Sequence, residues 1–201
     1  MGQILRGTEL GDLIYELVSN RKDIINIVES GSWDGLGTTR CVLDGLRQDQ
    51  RFTSIELYRD MYEATLKNNS KHINDHRIKF INGSIVRHED AFWFDHSEID
   101  LDSDLHAKLW FKSDLESLKN CIDVTEELPV KIDLLILDGG EYTTYPEWKK
   151  LAERTRIVIL DDSSIFKCSR IRKELLDDSQ YFCLIDRPKS RNGFCAFERQ
   201  K

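Results

Sequence analysis

Four apolar runs in this chain end in acids, and the spacing around each suggests chemistry. Ile24–Val28 leads into Glu29 and a turn containing Gly31, Gly35 and Gly37, just ahead of Thr38. An apolar run, then glycines, then a helix is a buried strand entering a loop that a ligand can approach closely. The spacing is not the G-x-G-x-x-G of a dinucleotide fingerprint. FTSIE, Phe52 to Glu56, ends in a second acid. A carboxylate at that strand end can accept hydrogen bonds from both ribose hydroxyls of a nucleoside cofactor, as it does in NAD enzymes. IDLLILD ends in Asp138 and continues Gly139-Gly140-Glu141-Tyr142, and RIVILDD ends in Asp161-Asp162. Three carboxylates brought together would repel one another. A divalent cation with oxygen ligands, Mg²⁺ or Mn²⁺, would resolve that.

The elements that must hold these acids alternate. Leu10, Leu13, Ile14, Leu17 and Val18 have helical spacing, with Thr8 as N-cap. Strands are expected at 24–28, 52–56, 77–82, 132–138 and 156–162, and helices at 38–46 and 58–68. A further helix is opened by Pro146 as its first residue, and another runs over 169–176. Residues 181–186 and 194–198 read as a C-terminal hairpin. The stretch 84–130 is longer than a minimal crossover needs. It holds Phe92, Trp93 and Phe94 together, then a helical pattern through Leu105, Leu109, Leu115, Leu118 and Ile122. The aromatic insertion could stack on a sugar ring, but Trp93 and Trp110 are expected to pack in the core. Alternating strands and helices give an α/β, doubly wound, mostly parallel sheet, with ligands outside the carboxyl ends of its strands.

Composition narrows the class. The 201 residues suit one domain, 1–201, and 40% hydrophobic with 32% charged residues describes a soluble globular chain. A net charge of −7 argues against a nucleic-acid partner. No apolar run is long enough to span a membrane. The five cysteines are odd in number and form no C-x-x-C, so a reducing, cytoplasmic location is the default.

The glycine turn resembles the first motif of class I S-adenosylmethionine (SAM) dependent methyltransferases, in the E-x-G-x-x-x-G form of metal-dependent O-methyltransferases. That family has a Rossmann-like seven-stranded sheet of order 3-2-1-4-5-7-6 with strand seven antiparallel, and the resemblance runs from Ile24 to the C-terminus. It implies cofactor contacts from Glu29, Gly31, Ser32, Trp33, Gly35 and Thr38, from Glu56 to the ribose, from Ser84 to the adenine, and from Asp138. Glu29 orders the loop or meets the cofactor's ammonium group. Strands four and five are neighbours in that topology. Asp138, Asp161 and Asp162 then match the metal site of catechol-type and macrocin-type enzymes, where the cation meets the acceptor hydroxyl.

Two departures stand out. The general base in those enzymes is a lysine or histidine three residues after the first metal aspartate; here that residue is Glu141, with Tyr142 or a histidine of the insertion as alternatives. Gly140 stands where the macrocin type has aspartate. The order D-G-G-E-Y is nevertheless nearer the macrocin type, which acts on deoxysugars. The expected activity is therefore SAM-dependent, divalent-metal-assisted methylation of a sugar hydroxyl, such as that of rhamnose in a glycan, with Asp138 and Glu141 catalytic. The compact size also resembles the methyltransferase domains that end large viral glycosyltransferase polypeptides, including those of chloroviruses. A phenolic acceptor and a non-catalytic Rossmann-like interaction module stay open, as does the oligomeric state.

Overall fold

A computed structural model describes residues 4–91 and 105–200; Phe92, Trp93 and Phe94 lie outside that range. The seven strands are β1 (Asn26–Ser30), β2 (Arg51–Glu56), β3 (Ile78–Asn82), β4 (Ile132–Leu137), β5 (Thr155–Asp161), β6 (Tyr181–Arg187) and β7 (Phe194–Arg199). They form one sheet of order β3-β2-β1-β4-β5-β7-β6, with β7 antiparallel to both β5 and β6. The expected topology is the observed one.

The helices are α1 (Glu9–Asn20), α2 (Thr38–Gly45), α3 (Arg59–Asn68), α4 (His88–Ala91), α5 (Leu105–Lys119), α6 (Thr144–Leu151) and α7 (Phe166–Asp177). Thr8 caps α1 as expected, its hydroxyl accepting from the Gly11 N–H at 3.2 Å. The starts of α6 and α7 differ from expectation by two and three residues, β1 lies two residues later than expected, and other ends shift by about one residue. Pro146 is the third residue of α6, not the first, and α7 begins three residues before Ser169.

The sheet is covered on both faces, which explains its continuous apolar strands. In β4, Leu135 and Leu137 face one core with Trp148, Leu151, Ile171 and Leu175 of α6 and α7. Leu134 and Ile136 face the other, with Leu10, Ile14, Val18 and Val42 of α1 and α2. Strand alternation thus feeds two cores from one run.

The order places β1 between β2 and β4, so the sheet's switch point lies where the loops after β1 and β4 meet. They meet closely. The Asp138 N–H donates to Ser30 O at 2.9 Å. Gly31 has φ +88°, and a Cβ there would lie 2.3 Å from the Asp138 carbonyl oxygen. Gly31→Ala is therefore expected to strain both loops. The φ alone costs about 1–3 kcal/mol, and the backbone clash adds to it. A lowered melting temperature together with weakened nucleoside binding is the expected result; an unchanged melting temperature would contradict this packing.

Candidate active site

A cavity of about 830 Å³, including its open mouth, lies at the switch point. Its floor is the ends of β1, β2 and β4: Ser30, Gly31, Ile55, Glu56, Asp138 and Gly139. A second cavity shares Gly31, Trp33 and Asp138 and continues past Ser32, Thr38, Asp161, Asp162 and Arg191. Among the described residues, Trp33, Asp162 and Arg191 are the non-glycine residues with positive φ, at 50°, 54° and 55°. All three line these cavities, and backbone strain of this kind concentrates at functional sites.

Glu56 is 4% exposed and is held by backbone donors on both oxygens: Trp33 N–H at 2.7 Å and Tyr58 N–H at 2.9 Å. The carboxylate is thereby fixed at the end of β2, with lone pairs left for a ligand. Burial pushes its pKa up to about 7, against the pull of these N–H donors. Ser84 also lines the first cavity, its hydroxyl accepting from Val86 N–H at 3.0 Å.

Glu29 lines neither cavity. It is fully buried, and its Oε2 accepts from the Thr39 hydroxyl at 2.7 Å and the Ser54 hydroxyl at 2.6 Å. Burial raises its pKa to about 7. Of its two expected roles, ordering the glycine loop is the one this geometry fits, since it ties β1 to β2 and α2. Gly35 is also structural. With φ +73° it packs on Thr65 of α3 and on Asn69 just past that helix, where a Cβ would lie 2.4 Å from Asn69 Nδ2. Ser32 and Thr38 line the second cavity; the Thr38 hydroxyl reaches Asp138 Oδ2 at 3.4 Å.

Asp138, Asp161 and Asp162 do converge, each offering an oxygen within 4.8 Å of the others. The sequence reading did not foresee Lys167, which is 6% exposed. Its Nζ lies 3.0 Å from Asp138 Oδ1 and 2.9 Å from Asp162 Oδ2. Asp162 Oδ1 accepts from Asn192 Nδ2 at 3.0 Å, and Arg191 lies 3.8 Å from Asp161. Burial opposes the lysine's charge, yet Asp138 and Asp162 hold its ammonium well above the ordinary lysine range. For Asp162, burial is outweighed by Lys167 and Asn192, so its pKa is lowered. Burial and the Asp138 charge raise that of Asp161. Both oxygens of Asp138 and of Asp162 thus have protein partners. As arranged, the trio does not fit a divalent ion, and the expectation of Mg²⁺ or Mn²⁺ took no account of this ammonium.

Glu141 is half-buried in the first cavity. Burial raises its pKa, opposed by Lys167 and aided by Asp162 and Asp114. Tyr142, the alternative base, is 3% exposed against Phe111 and Phe166 and lines neither cavity.

Sequence reasoning missed three further groups. Glu147 of α6, 4% exposed, accepts from the Ser30 hydroxyl at 2.6 Å. Asp114 of α5, 2% exposed, accepts from the Tyr58 hydroxyl. Trp110 was expected in the core but is 49% exposed, with its ring 6.4 Å from Trp33 over the cavity mouth. Five carboxylates, Glu56, Asp114, Asp138, Glu141 and Glu147, therefore line the first cavity against one ammonium, Lys167.

Comparison with solved structures places this architecture. A methyltransferase from Geobacter sulfurreducens superposes with a TM-score of 0.64, over 99% of this chain and 81% of its own, at 14% identity. The fold is a methyltransferase fold. The O-methyltransferase TomG from Streptomyces achromogenes, solved with SAM, matches 96% of this chain and 80% of its own at 15% identity and TM-score 0.62. An O-methyltransferase from Bacillus cereus, solved with S-adenosylhomocysteine (SAH), covers 95% and 80% at 13% identity, also with TM-score 0.62. No protein-family profile and no curated sequence matches the chain. Among the described residues, no helix is long and apolar enough to cross a membrane.

Proposed function

We propose that the protein is a SAM-dependent O-methyltransferase acting on a sugar hydroxyl. The observation that carries this reading is the acid-lined cavity at the switch point. Five carboxylates against one ammonium disfavour a cofactor rich in phosphates and favour a cationic one. SAM carries a sulfonium and an ammonium group. The site's parts suit its remaining pieces: Glu56 for the ribose hydroxyls, Ile55, Leu57 and Ser84 for the adenine, and the Gly31 turn with Asp138 for the amino-acid end.

Methyl transfer is an in-line displacement at the sulfonium methyl, and SAM supplies the leaving group. The protein must aim an acceptor oxygen and take its proton. Glu141 is placed to take it. A carboxylate whose pKa is raised by burial is a better base near neutral pH than an exposed one. The polar groups that line the first cavity together with Glu141 and Lys167, namely Asp114, Thr143 and Glu147, support a sugar over a phenol. Hydroxyl-rich ligands need such partners, while a phenol ring needs an apolar wall.

The test is SAH release from SAM with a panel of deoxysugar glycosides and simple phenols. Turnover is expected with members of the glycoside set only. Turnover confined to the phenols would overturn the acceptor assignment and leave the cofactor assignment standing.

A further inference from the structure

The Lys167 side chain breaks two local rules. It is a lysine 94% withdrawn from solvent, and it is the second residue of a helix, where the macrodipole is positive and disfavours cations. A residue that violates local preference in two ways is held by something else. Here that is Asp138 at 3.0 Å and Asp162 at 2.9 Å, from the ends of two neighbouring strands. Asp162 takes φ +54° at this place, and its other oxygen is fixed by Asn192. The hairpin turn after β6 thus braces the cluster from the far side.

We infer that Lys167 is this site's own cation, standing where three converging carboxylates would otherwise gather a divalent ion. Two of its three N–H donors fix Asp138 and Asp162. The third is left for the acceptor oxygen in the cavity that Lys167 lines, while Glu141 takes that oxygen's proton. Lys167 is in this account a positioning residue for the carboxylates and a donor to the acceptor. The donor role rests on the methyltransferase reading above; the exclusion of a metal by the ammonium does not.

The test is a Mn²⁺ titration followed by the EPR signal of the free ion, on the wild type, Lys167→Met and Asp162→Asn. The wild type is expected to bind no stoichiometric Mn²⁺ at micromolar concentrations. Lys167→Met, which frees the three carboxylates, is expected to gain one Mn²⁺ site at least about tenfold tighter, and its melting temperature should rise with Mn²⁺ while that of the wild type does not. Should Lys167→Met fail to fold, the wild type alone decides: one tight Mn²⁺ site that Asp162→Asn abolishes would overturn the inference, and its absence would uphold it. SAH calorimetry on the same wild-type sample separates the two readings. No SAH binding with the expected Mn²⁺ pattern would remove the methyltransferase and leave Lys167 as the cluster's cation.

Discussion

Glu141→Gln is expected to lower kcat by about 10²–10⁴, the usual contribution of a general base, while SAM binding stays nearly intact. The amide keeps the shape of the side chain but cannot take the acceptor's proton. The fall should appear in kcat and in kcat/KM together, because the interaction is made as the proton moves. Single-turnover measurements with saturating SAM would show it. A variant within a factor of about three of wild type would place the base elsewhere. Tyr142 is no easy substitute, being 3% exposed and edge-on to Phe111.

The second large effect is at Glu56. Glu56→Ala removes the acceptor proposed for two ribose hydroxyls. Hydrogen bonds to a charged group are worth about 1.5–3 kcal/mol each, so SAH affinity should fall on the order of tenfold to several hundredfold. The Trp33 and Tyr58 N–H groups also lose their partner, which loosens the cavity wall. A pH dependence follows with a definite sign. The free protein holds Glu56 near a pKa of about 7 because it is buried. Bound ribose hydroxyls donate to the ionised form, so the pKa falls on binding. SAH should therefore bind more tightly as pH rises through about 7, by roughly tenfold between pH 6 and 8, and level off above. Protons are released on binding over the range in which the affinity rises, and none where the profile levels off above it. Glu56→Gln should flatten the profile, and a profile of the same steepness in Glu56→Gln would assign the titration to another acid.

The sheet was legible because buried strands are short apolar runs closed by turn residues. In β1 the boundaries shift by two residues, from the expected 24–28 to Asn26–Ser30. Ile24 and Ile25 precede the paired residues, with the Ile24 N–H donating to Arg21 O before Asn26 joins the ladder. Glu56 and the three aspartates were legible for the same reason, as acids closing such runs at one edge of a parallel sheet. Lys167 was not. The N-cap of α7 is Ile165, which makes no side-chain cap, so nothing local marks the helix start and Lys167 reads as loop. Asp114 and Trp110 belong to α5, where the apolar spacing misleads: Leu109 of the helix and Ile122 beyond its end are exposed, while Asp114 is buried and bonded to Tyr58. Arg191 and Asn192 read as an ordinary hairpin turn. They reach the site only because β7 pairs with β5, putting Phe194 opposite Asp161. Each missed residue depends on a long-range pairing that periodicity does not carry.

SAM is proposed to occupy the cavity where the ends of β1 and β4 meet. Isothermal calorimetry of the wild type with SAM, SAH and NAD, each in EDTA, tests this most directly. One-to-one binding of SAM and SAH without added metal, no binding of NAD, and marked weakening of both by Glu56→Ala are the expected results. A folded wild-type protein that binds neither SAM nor SAH would contradict the account.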